Sequence, residues 1–472
     1  VNALRALALA GSLLALAACS TVGPNYELPA DAKINAPTAR GPFMGANAPA
    51  VSQAPLPAGW WKLYDDPVLN DLVQQALAAN TDLRVAAANL ARAQAIVSEA
   101  DDAGGFKTGV SAAALHSRES GEQYLLSEQL PVENLADVGV KVSYQVDLVG
   151  RLKRAAEAAR ADAEASEAAL DLARVSVAAD VARAYVDACA NGHELAVARH
   201  TVDLQAKSLA ATQALVKAGR GAVMDVTRSR ALLDQSRAAL PGFESRRRAA
   251  LYKLATLTGK PPAEFPKAVE ACVAPPTLKQ PIPVGDGATL LKRRPDVRQA
   301  ERTLAGATAR IGVATAALYP NVTLGFGAGS TGLLADIGQP AANRWGLSSL
   351  ISWTIPGQGE RARIRQTEAG ADAALARFDG VVLTALRETE TSLDAYAQDL
   401  RRNAALKAAR DQAALAETQT RALYRAGRSP YLVGLDAQRT LASAEAALAA
   451  SDSQVAADQV TLFLALGGGW ER

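Results

Sequence analysis

The chain is poor in residues whose type and spacing could do chemistry. His193 and His200 share a helix face, yet "HELAVARH" is not the H-E-x-x-H of zinc enzymes and no third ligand is near, so both read as surface residues. Gly327-Ala328-Gly329-Ser330-Thr331-Gly332 fits a dinucleotide fingerprint by pattern, but no helix opens after it and no βαβ unit contains it. It reads instead as an extracellular hairpin, with Gly329, Gly332 and Pro340 bounding the loop. Asn321-Val322-Thr323 fits a glycosylation sequon but falls within a candidate strand. Arg246-Arg247-Arg248 and Arg293-Arg294 read as solvated helix-end charges. No Ser/His/Asp, Cys/His or paired-carboxylate constellation occurs. Catalysis is not indicated, and no metal or cofactor is expected.

Cys19 is the exception. It closes an apolar run from Ala6 to Ala18 that follows one early charge, Arg5, and the run ends Leu16-Ala17-Ala18-Cys19. Length and flanks are those of a secretory signal, residues 1–18, not of a spanning helix. The closing tetrapeptide resembles the bacterial lipobox, in which the thiol is acylated and becomes the first residue of the mature chain. Ser20 follows, where Asp would mark inner-membrane retention, so the expected destination is the outer membrane. Cys189, in a helical stretch, and Cys272, in a Pro-rich one, read as unpaired thiols.

Composition narrows the fold. Apolar residues make up 49% of the 472, but aromatics only 5%. Thick globular cores need large side chains, whereas an alanine-rich chain such as this one builds thin helices that approach closely. Fifty basic against 48 acidic residues, net +2, exclude an electrostatically driven nucleic-acid binder. Mean hydropathy near zero, with no internal apolar run of roughly 18 residues, excludes a helical membrane protein.

The chain repeats itself. "ALAANTDLRVAAANLARAQA" from Ala76 matches "LLKRRPDVRQAERTLAGATA" from Leu290, "ARAYVDA" around Tyr185 matches "LDAYAQD" around Tyr396, and "AGRGAVMDVTRSRALL" from Ala218 matches "AGRSPYLVGLDAQRTL" from Ala426. The near-constant offset predicts two homologous halves, 61–260 and 289–472, related by a pseudo-twofold. A Pro-rich linker, 261–288, joins them, and 19–60 reads as a lipidated, extended N-terminal segment.

Each half has the order helix, strand, strand, very long helix, helix. Strands are expected at about 106–116, 138–148, 320–329 and 345–355. In the second, Val138, Val140, Val142, Tyr144, Val146 and Leu148 face one way; Gly139, Lys141, Ser143, Gln145 and Asp147 face the other. Strands of ~10 residues alternating in this way match outer-membrane β-barrels. Four strands cannot close a barrel, since about eight are the minimum, and open edges are not tolerated in lipid. Oligomerisation is therefore required. After each strand pair comes a near-uninterrupted helical stretch, about 151–219 and about 361–427. At 1.5 Å per residue each spans roughly 100 Å, suited to a coiled-coil tube crossing an aqueous space. Each ends in a compact turn, with Gly219 and Gly427 suited to helix termination, Ser429 to an N-cap and Pro430 to the first helical position.

The sequence resembles the outer-membrane efflux lipoproteins of the TolC-like superfamily, in the OprM/NodT branch. The resemblance is carried by "GPNYELP", "WWKLYDDPVLNDLVQQALAANTDL", "SYQVDLVGRLKR", "RRPDVRQAERTLAGATARIGVATAALYPNVTL", "LDAQRTLASAEAAL" and "LFLALGGGW". It implies a mainly α protein with a membrane β-barrel: a homotrimer with a twelve-stranded barrel and a twelve-helix periplasmic α-barrel. It also implies docking to a periplasmic adaptor and an inner-membrane pump of RND type, passive conduction of small molecules outward, and a lipid anchor at Cys19 in the outer membrane. Protein secretion through a similar duct, or a lipid-anchored scaffold without a pore, are the alternatives. The hairpin tips, Lys217–Asp225 and Tyr424–Tyr431, are expected to constrict the tunnel and dock the adaptor. Asp225, Arg228, Tyr424 and Arg428 are the candidate gate; Gly219, Arg220, Gly221, Gly427 and Ser429 are the candidate docking surface.

Overall fold

The computed structural model describes residues 21–355 and 357–468, and divides into two compact units. Cys19 and the expected signal, residues 1–18, lie outside the described residues. The main elements, in chain order, are α1 (Pro67–Ala79), α2 (Thr81–Asp102), β1 (Lys107–Arg118), β2 (Val132–Val146), α3 (Arg151–Lys217), α4 (Val223–Leu257), α5 (Gly287–Arg293), α6 (Pro295–Ala316), β3 (Asn321–Leu333), β4 (Asn343–Ser352), α7 (Gln358–Arg425) and α8 (Tyr431–Ala465). Among the described residues no helix is long and apolar enough to cross a membrane.

The first unit takes in the chain up to Pro29, Leu90–Ser166 and Ala300–Phe378. It holds one antiparallel sheet in the order β1-β2-β3-β4, with β1 and β4 as unpaired edges. Each expected strand exists, with shifted ends. The stretch Gly327–Gly332 is part of β3, which runs to Leu333, so Gly329 and Gly332 do not bound the loop as expected. Cross-strand pairing carries the strand through them, and the connection is 334–342. Below the sheet, the "GPNYELP" segment is locked to helices by close approach. A methyl on Gly23 would sit 2.4 Å from the Gly312 Cα. The Arg154 guanidinium donates to the carbonyls of Val22 and Gly23, each at 3.1 Å, and to Asn25 Oδ1 at 2.9 Å. Tyr26 donates to Glu301 at 3.3 Å beneath the Arg302 guanidinium, and burial first, then the Glu301 charge, pushes its hydroxyl up to about 12.

The second unit takes in Ala30–Asn89, Glu167–Gln299 and Asp379 onward. Its core explains three more motifs. Trp60 is fully buried and stacks on Phe463 at 4.5 Å between ring centres, tying "WWKLY" to the last helix; burying such side chains contributes about 1.5–3 kcal/mol each. Asp66 caps α1, accepting from the Val68 and Leu69 amides at 2.9 and 3.1 Å, and also accepts the Tyr185 hydroxyl at 2.6 Å. Arg293 and Arg294 are buried, not the solvated helix-end charges expected. Arg294 donates to Asp296, to Glu388 and to the Ala465 carbonyl, which supplies the ion partners a buried guanidinium needs. Along α3, Ala168, Ala178, Ala182, Ala184 and Ala188 are fully buried, so neighbouring helices approach the backbone closely.

Cys189 and Cys272 form a disulfide, with Cα atoms 4.9 Å apart, which corrects their reading as free thiols. The linker bends back onto α3 and α4, bringing together thiols 83 residues apart in sequence. Gly192, the lone glycine of α3, makes the approach possible: a methyl there would lie 2.3 Å from the Cys272 carbonyl oxygen. Arg247 on α4 donates to the Glu270 and Cys272 carbonyls, holding the linker from the other side. One member of the Arg246–Arg248 run is thus a clamp, not a solvated charge.

Candidate functional site

Two surfaces in this chain are built for more than packing, and both end at strand or helix termini. The first is the pair of hairpin tips. α3 terminates in a glycine motif: Gly219 has φ +69°, its amide donates to the Val216 carbonyl at 3.0 Å, and the Arg220 amide donates to the Leu215 carbonyl at 2.9 Å. α7 ends identically, with Gly427 at φ +69° donating to Tyr424 and Arg428 to Leu423, both at 2.9 Å. Added methyls at these two glycines would meet nothing within 4 Å, so the left-handed turn, not packing, requires glycine, and the backbone there stays open. Ser429 does not cap α8. The helix starts one residue later, with Pro430 at the cap position and no side-chain cap bond.

The candidate gate residues lie at or beside the two turns. Asp225 is in the first turn of α4, where the helix dipole favours a carboxylate. Arg228 and Arg428 are exposed, and Asp225 and Tyr424 half-buried. Ion pairs on these hairpins, Arg237–Asp234, Arg421–Glu417 and Arg439–Asp436, lie away from the turns, and none uses Asp225, Arg228 or Arg428. Missed by the sequence reading are exposed apolar pairs just past each turn: Val223 and Met224 on α4, Leu432 and Val433 on α8. Their recurrence after both "AGR" turns is the signal that could have found them.

The second surface is the sheet. Residues paired across an antiparallel sheet share a face. On one face lie Val110, Val138, Val140, Leu324, Phe326, Trp345, Leu347 and Ile351, all exposed; Val110, Trp345 and Leu347 are 77, 76 and 79% exposed. Phe106 packs on Tyr144 at 5.0 Å, and the Trp353 indole donates to the Leu318 carbonyl at 3.0 Å, adding amphipathic rings at one rim. The opposite face carries Ser111, Lys141, Ser143, Thr323, Ser348 and glycines. A sheet with a continuous exposed apolar face and two open edges cannot persist alone in water or lipid.

The profile described as "Outer membrane efflux protein" matches residues 72–260 and again 288–468. The chain belongs to that family. Nodulation protein T of Rhizobium leguminosarum bv. trifolii is 29% identical over 97% of this chain and 96% of its own length. Outer membrane protein OprJ of Pseudomonas aeruginosa is 32% identical over 97% of this chain and 94% of its own. Among solved structures, the outer-membrane channel OprN superposes with a TM-score of 0.88 at 33% identity, covering 95% of this chain and 99% of that one. The open-state MtrE channel of Neisseria gonorrhoeae gives 0.83 at 26%, covering 96 and 99%. Both solved structures are outer-membrane channels. The chain is accordingly an outer-membrane efflux protein that reaches into the periplasm, an exit duct built from a β-sheet for the membrane and long α-helices for the aqueous space.

Proposed function

We propose that the duct is a homotrimer, completed by a periplasmic adaptor and an inner-membrane pump of the RND class, and anchored through lipid on Cys19.

 

The observation that carries this reading is the sheet: four strands with two open edges and an exposed apolar face. Three copies supply twelve strands, enough to close a barrel and remove every edge, with the apolar face to lipid and the polar face to the lumen. The same three copies supply twelve long helices from the hairpins α3–α4 and α7–α8. The two matching halves of the chain then act as quasi-equivalent hairpins around the duct. Conduction is passive, energy comes from the pump, and the cargo is small molecules: drugs, toxic compounds or metal ions.

Gating follows from the tips. Around a threefold axis each tip side chain meets its symmetry mates: Asp225 supplies a negative charge, Arg228 and Arg428 positive ones, and Tyr424 a ring and a hydroxyl, while none of the ion pairs on these hairpins among the described residues uses the three charged groups. Interchain pairs hold the helices inward at modest cost. An adaptor approaches the open backbone at Gly219, Arg220, Gly221, Gly427 and Ser429 and covers Val223, Met224, Leu432 and Val433. The test is purification in detergent followed by planar-bilayer recording. Trimers that conduct ions support the duct; a monodisperse monomer or dimer, or trimers that never conduct, overturn it.

A further inference from the structure

The polar face of the sheet is uneven in a way that bears on what passes it. Across its middle, Gly109 pairs with Lys141, Lys141 with Gly327, and Gly327 with Gly346. This row crosses all four strands and carries a single side chain, that of Lys141. The glycines are not there to admit a neighbour: a methyl at Gly109 or Gly346 would meet nothing within 4 Å, and one at Gly327 only the Val140 carbonyl oxygen at 3.9 Å. The space is open, and one exposed ammonium group enters it.

Other charges on this face are balanced or distant: Asp147, just past the end of β2, accepts from the Lys153 amide at 3.0 Å and is about 20 Å from Lys141 along the chain. Arg344 donates from Nη2 to Asp137 at 2.9 and 2.7 Å and from Nε to Thr331 at 2.6 Å, while Thr331 donates to Asp137. Lys107 pairs with Asp102. Glu133 shares the face but lies opposite Ser117 at the far end of β2. At ~3.4 Å per residue it is about 27 Å from Lys141 along the strand, well past the screening length of ~10 Å at 0.1 M salt. None of the ion pairs in this sheet uses Lys141. The uncompensated charge at mid-sheet is positive.

We propose that Lys141 is a selectivity-determining residue of the duct, three copies forming a ring of ammonium groups that favours anionic and acidic solutes over cationic ones. This rests on the trimeric barrel reading, which turns the polar face into a lumen. Rings of Lys or Arg select anions in pores, and a low-dielectric wall around the lumen strengthens their field. The glycines keep the row otherwise bare, so no side chain of the same row screens or neutralises the ring. The alternation of β2 holds Lys141 there, because its neighbours Val140 and Val142 occupy the apolar face.

The experiment is reversal-potential recording in bilayers of neutral lipid across a tenfold KCl gradient, on wild type, Lys141→Arg, Lys141→Gln and Lys141→Glu. Wild type and Lys141→Arg should favour chloride. Lys141→Gln should lower the chloride-to-potassium permeability ratio roughly threefold or more, and Lys141→Glu should invert the preference. The differences should shrink at 1 M salt, where the screening length is ~3 Å. Conducting trimers of Lys141→Gln and Lys141→Glu with the wild-type reversal potential would overturn the role of Lys141 and leave the duct intact. Wild-type protein that forms no conducting trimer would overturn the barrel reading and this inference together.

Discussion

Replacing Gly192 by Ala sets two effects of known size against each other. In a helix interior Ala is favoured over Gly by about 0.8–1.0 kcal/mol, so helix propensity alone makes Gly192→Ala stabilising. Packing opposes it. The new Cβ would stand 2.3 Å from the Cys272 carbonyl oxygen and 3.3 Å from Arg247 Nε. Neither neighbour is free to yield, because Cys272 is bonded to Cys189 on α3 itself and its carbonyl accepts from Arg247 at 3.3 Å. Overpacking of this kind costs about 1–3 kcal/mol, so the net expectation is a loss of roughly 1 kcal/mol, together with less complete disulfide closure. Gly370→Ala, in α7, isolates the propensity effect, since a methyl there meets nothing within 4 Å. The assay is thermal unfolding of the detergent-purified protein, with thiol labelling of the denatured, unreduced chain to count open disulfides. If Gly192→Ala raised the midpoint as Gly370→Ala does, with closure complete, the close approach of linker and helix would be refuted.

Three further outcomes are expected. Burial first, then the neighbouring Asp399 carboxyl, pushes Asp458 up to about 6, against Gln454 and Arg183, which favour its charge. A carboxyl raised on folding binds more protons in the native state, so its contribution to stability declines as pH rises from about 4 through about 6; Asp458→Asn should therefore raise the unfolding midpoint more at pH 7.5 than at pH 4.5, and an equal change at both would contradict the assignment. Single-channel conductance should rise in Asp225→Ala and Arg428→Ala and most in the double variant, whereas an unchanged double variant puts the constriction elsewhere. Cys19→Ser should abolish incorporation of radiolabelled fatty acid, and persistent labelling would remove Cys19 as the anchor.

Much of the architecture was legible because it rests on local, periodic signals. Alternation along Val138–Val146 and Asn321–Ala328 marks half-buried strands whatever they pair with, since successive side chains point to opposite faces. The scarcity of helix breakers between Arg151 and Lys217 marks a long helix for the same reason: propensity accumulates along a sequence. Gly219 and Gly427 were readable as turn residues because a left-handed φ is a demand the backbone makes locally.

Tertiary structure decided the rest, wherever an outcome depended on which distant atoms arrive. The ends of β3 could not be read because cross-strand pairing with β2 carries the strand through Gly329 and Gly332, residues whose own preference is to stop it. Arg293 and Arg294 look solvated in sequence; Glu388, the Ala465 carbonyl and the Leu56 carbonyl, far along the chain, make their burial tolerable. Cys189 and Cys272 have no local feature that pairs them, and only the return of the linker across Gly192 brings their Cα atoms to 4.9 Å. The row that isolates Lys141 is likewise invisible until the strand register aligns Gly109, Gly327 and Gly346 beside it. Periodicity is written in neighbours along the chain, but register, closure and burial are set by neighbours in space.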